Sequence, residues 1–371
     1  MDQIVIAGLI GLSLLLSAVA IVRRQRPEWR FAMESPPDPA CPPGFQTLYD
    51  YKAQGGQAHA PFLLVSGSGL ELLWFEGSAE AQADVDIHAV RLSRSHGAWH
   101  AGTPGPRVAR RALGAAMTPR QLVVTLGNMI DAARPDRIFL TVVSVGGWAM
   151  ASVAEVTLSP GGVRQARKLN LSPVLNRSFL IKSPVVAFQN GLRGVPAYFE
   201  MGPTYGALVQ VDAQGRVRDM SRIAGPGRPI QPMIVPFDAL NAVAFLRDFN
   251  PSGALWMSET TDGGRHWSFA HNAGLPNPSA PVAALRLDDG SVLVAANDDP
   301  HGGDRLSLLI WSRDAASWRR VHELEPNGAG ARYPVMRVHP DGEIVLAYST
   351  GNKKGLRVHL FSRAWAEAAS T

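Results

Sequence analysis

Thr260-Thr261-Asp262-Gly263-Gly264-Arg265-His266-Trp267 is the stretch whose reading decides the fold. Its pattern is Ser/Thr-x-Asp-x-Gly-x-x-Trp. An aspartate at the third position accepts hydrogen bonds from backbone N–H groups of its own turn. Gly264 admits a positive φ that a side chain would resist. Trp267 has the apolar area to pack the turn against a neighbouring strand. The stretch therefore reads as a tight hairpin turn held by its own side chains. Two decayed copies follow the same plan, Ser312-Arg313-Asp314 through Trp318 and Ser93-Arg94-Ser95-His96-Gly97-Ala98-Trp99.

The copies are spaced. Trp267 and Trp318 lie 51 positions apart, and the Asp-Gly turns at Asp289 and Asp341 lie 52 apart, each between two apolar runs. A period of about 50 residues is one four-stranded propeller blade. Residues 55–365 have room for six, and a sandwich would not show the period. The apolar runs between the turns are short, as at 62–65, 70–75, 122–126, 138–145, 207–211, 242–246, 292–296, 306–311 and 344–348. Hairpin signals separate them at Asp212-Ala213-Gln214-Gly215, Asp288-Asp289-Gly290 and Pro340-Asp341-Gly342. Short helices are expected only around 119–126 or 128–133. The expectation is an all-β, six-bladed β-propeller.

Composition agrees. The 371 residues are 46% apolar and 18% charged, with 36 glycines and 28 prolines, which suits short strands joined by tight turns. The net charge of +5 is scattered, so no nucleic-acid patch is read. Cys41 is the single cysteine, which rules out an intrachain disulfide and a Cys-based zinc site; it reads as an incidental thiol. No metal cluster, nucleotide loop or Ser-His-Asp set stands out, and no cofactor is inferred.

Ile4–Val22 carries no charge, and 19 residues at 1.5 Å each span about 28 Å, near the bilayer core of roughly 30 Å. With Asp2 ahead of it and no basic n-region, it reads as an uncleaved transmembrane helix. Residues 1–26 are then a membrane anchor, 27–57 a Pro-rich spacer and 58–371 the propeller. This places the chain as a single-pass protein of the inner membrane. Arg23, Arg24, Arg26 and Arg30 follow the span and argue for a cytoplasmic domain. The reading below favours the exterior or periplasm, and the face stays open.

Over roughly 58–365 the chain resembles the sialidase-like propellers with Asp-box (BNR) repeats. The resemblance rests on the motif above and on Leu73-Trp74-Phe75-Glu76-Gly77-Ser78, Leu126-Gly127-Asn128, Ser144-Val145-Gly146-Gly147-Trp148, Gln231-Pro232, Leu246-Arg247-Asp248, Leu275-Pro276-Asn277-Pro278, Asn297-Asp298, Arg305-Leu306-Ser307-Leu308 and Tyr333-Pro334. It implies a tyrosine nucleophile paired with a glutamate, an acid/base aspartate, and arginines holding an acidic sugar's carboxylate. A neutral nucleophile avoids repulsion by that anion, and arginine forks suit a carboxylate.

Carried over in chain order, the resemblance implies Tyr333, Glu200 and Asp84 as catalytic residues, with Glu80 and Asp86 of the first blade as the other candidates for the acid/base role. Arg247, Arg305, Lys182 and Trp148 are the candidate substrate-binding residues. The first-blade arginine is missing, since Ser78-Ala79-Glu80-Ala81 stands where it is expected; Lys182 offers charge without a fork. Structural readings stand beside these: Arg247-Asp248 as a strand-end ion pair, Arg305 as a strand start, Tyr333 as a strand tyrosine, Trp148 as core, His59 as a surface histidine. Two functions follow, a sialidase-like glycoside hydrolase acting on an acidic sugar or exported glycan, or a non-catalytic membrane-tethered propeller that binds glycan or protein.

Overall fold

In the computed structural model, residues 2–23, 27–39, 44–66, 69–134, 136–172, 176–250, 253–288 and 290–369 are described. Cys41, Arg24, Arg26 and Asp289 lie outside them. Six antiparallel sheets follow one another along the chain. Blades 1 to 5 occupy 57–108, 125–168, 179–223, 229–276 and 283–325; each runs outward from its first strand. The first strands, Gln57–Ser66, Thr125–Arg134, Phe179–Ile181, Pro229–Pro236, Ala283–Arg286 and Arg332–Val338, meet around a central axis.

Blade 6 is composite. Its inner three strands are Arg332–Val338, Ile344–Thr350 and Gly355–Phe361, and its outer strand is Phe45–Lys52 from the other end of the chain, antiparallel in the register Phe45↔Phe361 to Lys52↔Gly355. The stretch 27–57, expected as a spacer, thus contributes a strand that closes the ring. Its earlier part also packs: Trp29 and Phe31 sit against Phe188, and Phe31 N–H donates to the Ala239 carbonyl. Aromatic residues spaced among the prolines explain why it docks rather than extends.

The core is divided by blade interface. Six apolar clusters each join one blade to the next, including blade 6 to blade 1 through Val345, Ala347 and Val358 against Leu63, Leu72 and Trp74. Sheets with both faces covered read as near-continuous apolar runs, which is what the strands showed. Segment 125–134, where helix was an alternative, is the inner strand of blade 2, because its apolar residues pair with Arg137–Val143. The helix lies earlier, at Arg110–Ala116.

The decisive motif behaves as its chemistry requires. Asp262 Oδ1 accepts from His266 N–H at 2.9 Å, and Thr260 Oγ1 accepts from Gly264 N–H at 3.0 Å. Gly264 has φ +91°, and an added Cβ would lie 2.8 Å from Leu208 of blade 3. Trp267 Nε1 donates to the Gly264 carbonyl at 2.9 Å and to Ser221 of blade 3 at 3.3 Å. The decayed copies repeat this reach to the preceding blade. Trp318 donates to the Ala273 carbonyl of blade 4, and Trp99 packs edge-on to His339 of blade 6.

The N-terminal helix spans Asp2–Arg23. The transmembrane reading is corrected here. Among the described residues no helix is long and apolar enough to cross a membrane. The single-pass inner-membrane placement falls with it.

Candidate functional site

Four inner strands are interrupted at the same face. Ladder registers shift between His59 and Phe62, Leu126 and Met129, Ile230 and Met233, and Arg332 and Val335. In three of them a residue of positive φ sits in the shift directly before a proline: Ala60 at 51°, Gln231 at 53° and Tyr333 at 58°. A non-glycine residue there costs about 1–2 kcal/mol. Such conformations persist where the surroundings enforce them, and bulges re-aim side chains. Here they turn the chain at the mouth of the axis.

That mouth opens into a cavity of about 420 Å³. Blade 1 contributes His59, Ala60, Phe75 and Glu80; blade 2 Leu126, Gly127, Asn128 and Trp148; blade 3 Leu180, Tyr198 and Glu200; blade 4 Gln231, Arg247 and Phe249; blade 6 Tyr333. A concave site with an apolar wall and a few convergent polar groups is the usual form of a small-ligand pocket. Of the seven catalytic and substrate-binding residues expected from sequence, Tyr333, Glu200, Arg247 and Trp148 come together in it.

Three do not line it. Asp84 is fully exposed and accepts from Ser78 N–H at 3.0 Å and from Ser78 Oγ at 2.9 Å, bonds that hold its carboxyl below the usual range. Arg305 is tied to Asp298, with Nε donating to Oδ1 at 3.0 Å, and the same carboxylate takes Arg320 at 2.6 Å. Asp298 is buried, so its oxygens demand such partners. Lys182 is buried beneath the cavity and donates to the Pro334 carbonyl at 3.2 Å; burial, helped by the nearby Arg337, lowers its pKa to about 8.

Glu80, and not Asp84, is the first-blade carboxylate in the cavity lining. It stands in the same loop, lines the cavity, and pairs with Lys353, whose ammonium also lies 5.9 Å from the Tyr333 ring centre. His59, expected at the surface, is buried, with Nε2 3.9 Å from Glu80. Burial lowers its pKa to about 4; Glu80 opposes the shift and Lys353 adds to it. A residue-proline pair marks two of the bulges in the sequence: Gln231-Pro232 and Tyr333-Pro334 are 102 positions apart, two blade periods.

The polar groups are held in place. Arg247 Nε donates to Ser279 Oγ at 3.1 Å and Nη1 to Gln231 Oε1 at 3.3 Å, while Gln231 Nε2 donates to Tyr198 Oη at 3.2 Å. Arg247 Nη2 has no partner among the described residues. Neither the Glu200 carboxylate nor the Tyr333 hydroxyl makes a hydrogen bond among the described residues. Burial raises the pKa of Glu200, against the pull of Arg247 and Arg228. Burial and the Glu80 charge raise that of Tyr333, against Lys353, Arg247 and Arg332. Trp148 owes its position to Gly127, whose added Cβ would lie 2.9 Å from Trp148 Cζ3 and from Thr141 Cβ.

Comparison with known proteins places this geometry. The family model described as a BNR repeat-like domain matches residues 69–346. No curated protein sequence matches significantly. Among solved structures, a Trypanosoma rangeli sialidase with the inhibitor DANA superposes with a TM-score of 0.61 at 9% identity, over 86% of this chain and 60% of the sialidase. The NanB sialidase of Streptococcus pneumoniae gives 0.62 at 10% identity, over 86% of this chain and 70% of that one. A Dyadobacter fermentans protein of unknown function gives 0.62 at 14% identity, over 86% of this chain and all of its own length. The chain thus spans about three fifths of the trypanosomal enzyme, and at these identities the likeness is one of fold.

Proposed function

The chain belongs to the BNR repeat-like domain family, in its sialidase-like propeller form, and from that premise we propose that its axial cavity binds an acidic sugar and hydrolyses the bond to its neighbour. The observation that carries this is the convergence of Tyr333, Glu200, Glu80, Arg247 and Trp148 in one cavity. Arg247 presents its unpartnered Nη2 to the sugar carboxylate, and Trp148 offers an aromatic face.

In this reading Tyr333 Oη attacks the anomeric carbon while Glu200 takes the phenolic proton. Glu80, in place of Asp84, passes a proton from its partner Lys353 to the departing glycosidic oxygen. Water then attacks the tyrosyl-sugar bond, giving its proton through Glu80 to Lys353, and Glu200 returns its proton to Tyr333. The raised pKa of Tyr333 keeps the phenol protonated until a base acts, and the raised pKa of Glu200 strengthens that base.

The second reading, a propeller that binds glycan without turnover, is favoured by one observation: Arg305 is engaged with Asp298 and leaves the cavity one guanidinium fewer. Fluorogenic sialosides and uronides decide between them. Tyr333→Phe is expected to lower kcat at least 1000-fold with binding retained. Binding without turnover in the parent protein supports the second reading, and neither binding nor turnover removes both.

A further inference from the structure

Beside the axial cavity lies a second one of about 620 Å³ with three arginines in its lining, Arg110, Arg111 and Arg120. Their linings are neighbours along the chain. Segment 121–124 lines the second cavity, and 126–128 the first. The blade 1 loop places Glu80 in the first and Ala83 in the second, and it is tied across by Thr125 Oγ1 donating to the Ala81 carbonyl at 3.1 Å. From Val123 to Leu126 the chain reaches at most about 11 Å, which sets the length of a ligand reaching from one lining to the other.

The lining of the second cavity holds three arginines and no carboxylate. Arg110 is 8% exposed, gives one guanidinium bond to the Val123 carbonyl, and leaves its Nε buried without a partner. Arg111 and Arg120 are exposed and have no ion pair among the described residues. Two carboxylates lie near Arg110: Asp84, whose pKa its charge helps to lower, and Asp86, which accepts from its backbone N–H at 2.7 Å. Elsewhere in the molecule arginines commonly carry carboxylates, as Arg107 does Glu71, Arg167 Glu155 and Arg357 Asp50. A partly buried guanidinium left short of acceptors is a site that an anion completes.

We infer that this cavity is an aglycone subsite for a second acidic group, so that the substrate carries carboxylates on adjacent sugar units. The inference rests on the acidic-sugar reading of the axial cavity. The test is titration calorimetry on the full chain with sialic acid and its trimer, and with galacturonic acid and its trimer, at 0.15 M salt. The expected result is that the trimer of one series binds at least tenfold tighter than its monomer. Arg111→Ala with Arg120→Ala should erase that gain and move monomer affinity less than twofold. Both side chains are exposed, so the fold is expected to survive; an unchanged Tm checks it. A monomer that binds while its trimer gains nothing, or a gain that survives the double substitution, overturns the subsite and leaves the axial reading standing. Failure of all four sugars to bind overturns both.

Discussion

Tyr333 shows how much one residue's backbone decides. Its φ of 58° places it in a break of the ladder between Arg332 and Val335, half-buried at the axis. The same device at Gln231 brings a side chain that holds Arg247, and at Ala60 it sets a small residue in the cavity wall. Gly127 is the complementary case, where the absence of a Cβ makes room for Trp148. Gly127→Ala is expected to cost about 1–3 kcal/mol by overpacking against Thr141 and Trp148. It should also weaken sugar binding with Trp148 displaced; denaturant unfolding and tryptophan fluorescence check both. Glu200 carries a pH prediction. A base must be ionised to act, and burial raises its pKa. The acid limb of kcat against pH should therefore lie above the ordinary carboxylate range, and Glu200→Gln should remove it.

Among the elements, the turn at 260–267 and the strand Phe45–Lys52 join the ring in different ways. The turn locks itself and sends Trp267 to the preceding blade. Trp267→Ala is expected to lower stability by about 2 kcal/mol, less than a fully buried tryptophan because Trp267 is half-buried. The closing strand is held by its ladder, by Phe45 stacked on Trp365 and His359, and by Arg357 on Asp50 at 3.0 Å. Removal of residues 1–26 should leave Tm within 2 °C. Removal of residues 1–52 should abolish a single cooperative transition, because blade 6 loses its outer strand; calorimetry of the two truncations tests this.

At the scale of the whole molecule, burial keeps two histidines neutral. His59 lies at the axial mouth and His359 in the closure, where Tyr348 Oη stands 2.8 Å from Nε2 and donates to Glu325 at 3.0 Å. Burial lowers both to about 4, Arg357 adding to the effect at His359. In the unfolded chain they titrate near 6.5. Between about 6.5 and 4 the unfolded state therefore binds the protons. Their contribution to stability is complete above 6.5 and lost as pH falls through that window. Tm measured from pH 7.5 to 4.5 should decline most below 6.5, and less so in a protein with both histidines replaced by asparagine.

The sequence by itself determined the blade. The motif at 260–267, its copies near 312 and 93, and the period of about 51 are local matters of turn chemistry and strand length, and these determine a repeat wherever it stands. The family resemblance carried Tyr333, Glu200 and Arg247 over in chain order, and the Gly146-Gly147 pair pointed to Trp148; all four line one cavity. Only the tertiary structure decided what lies beyond one repeat. Phe45–Lys52 joins blade 6 across more than 300 positions, and nothing in a proline-rich stretch declares its partner. Asp84 and Glu80 are four residues apart on one loop, and only packing turned Glu80 to the axis and left Asp84 in water. Arg305 had a buried carboxylate nearer than any ligand. Side chains from separate blades meet by closure of the ring, which is a global event, whereas the turns that build each blade are settled among neighbours.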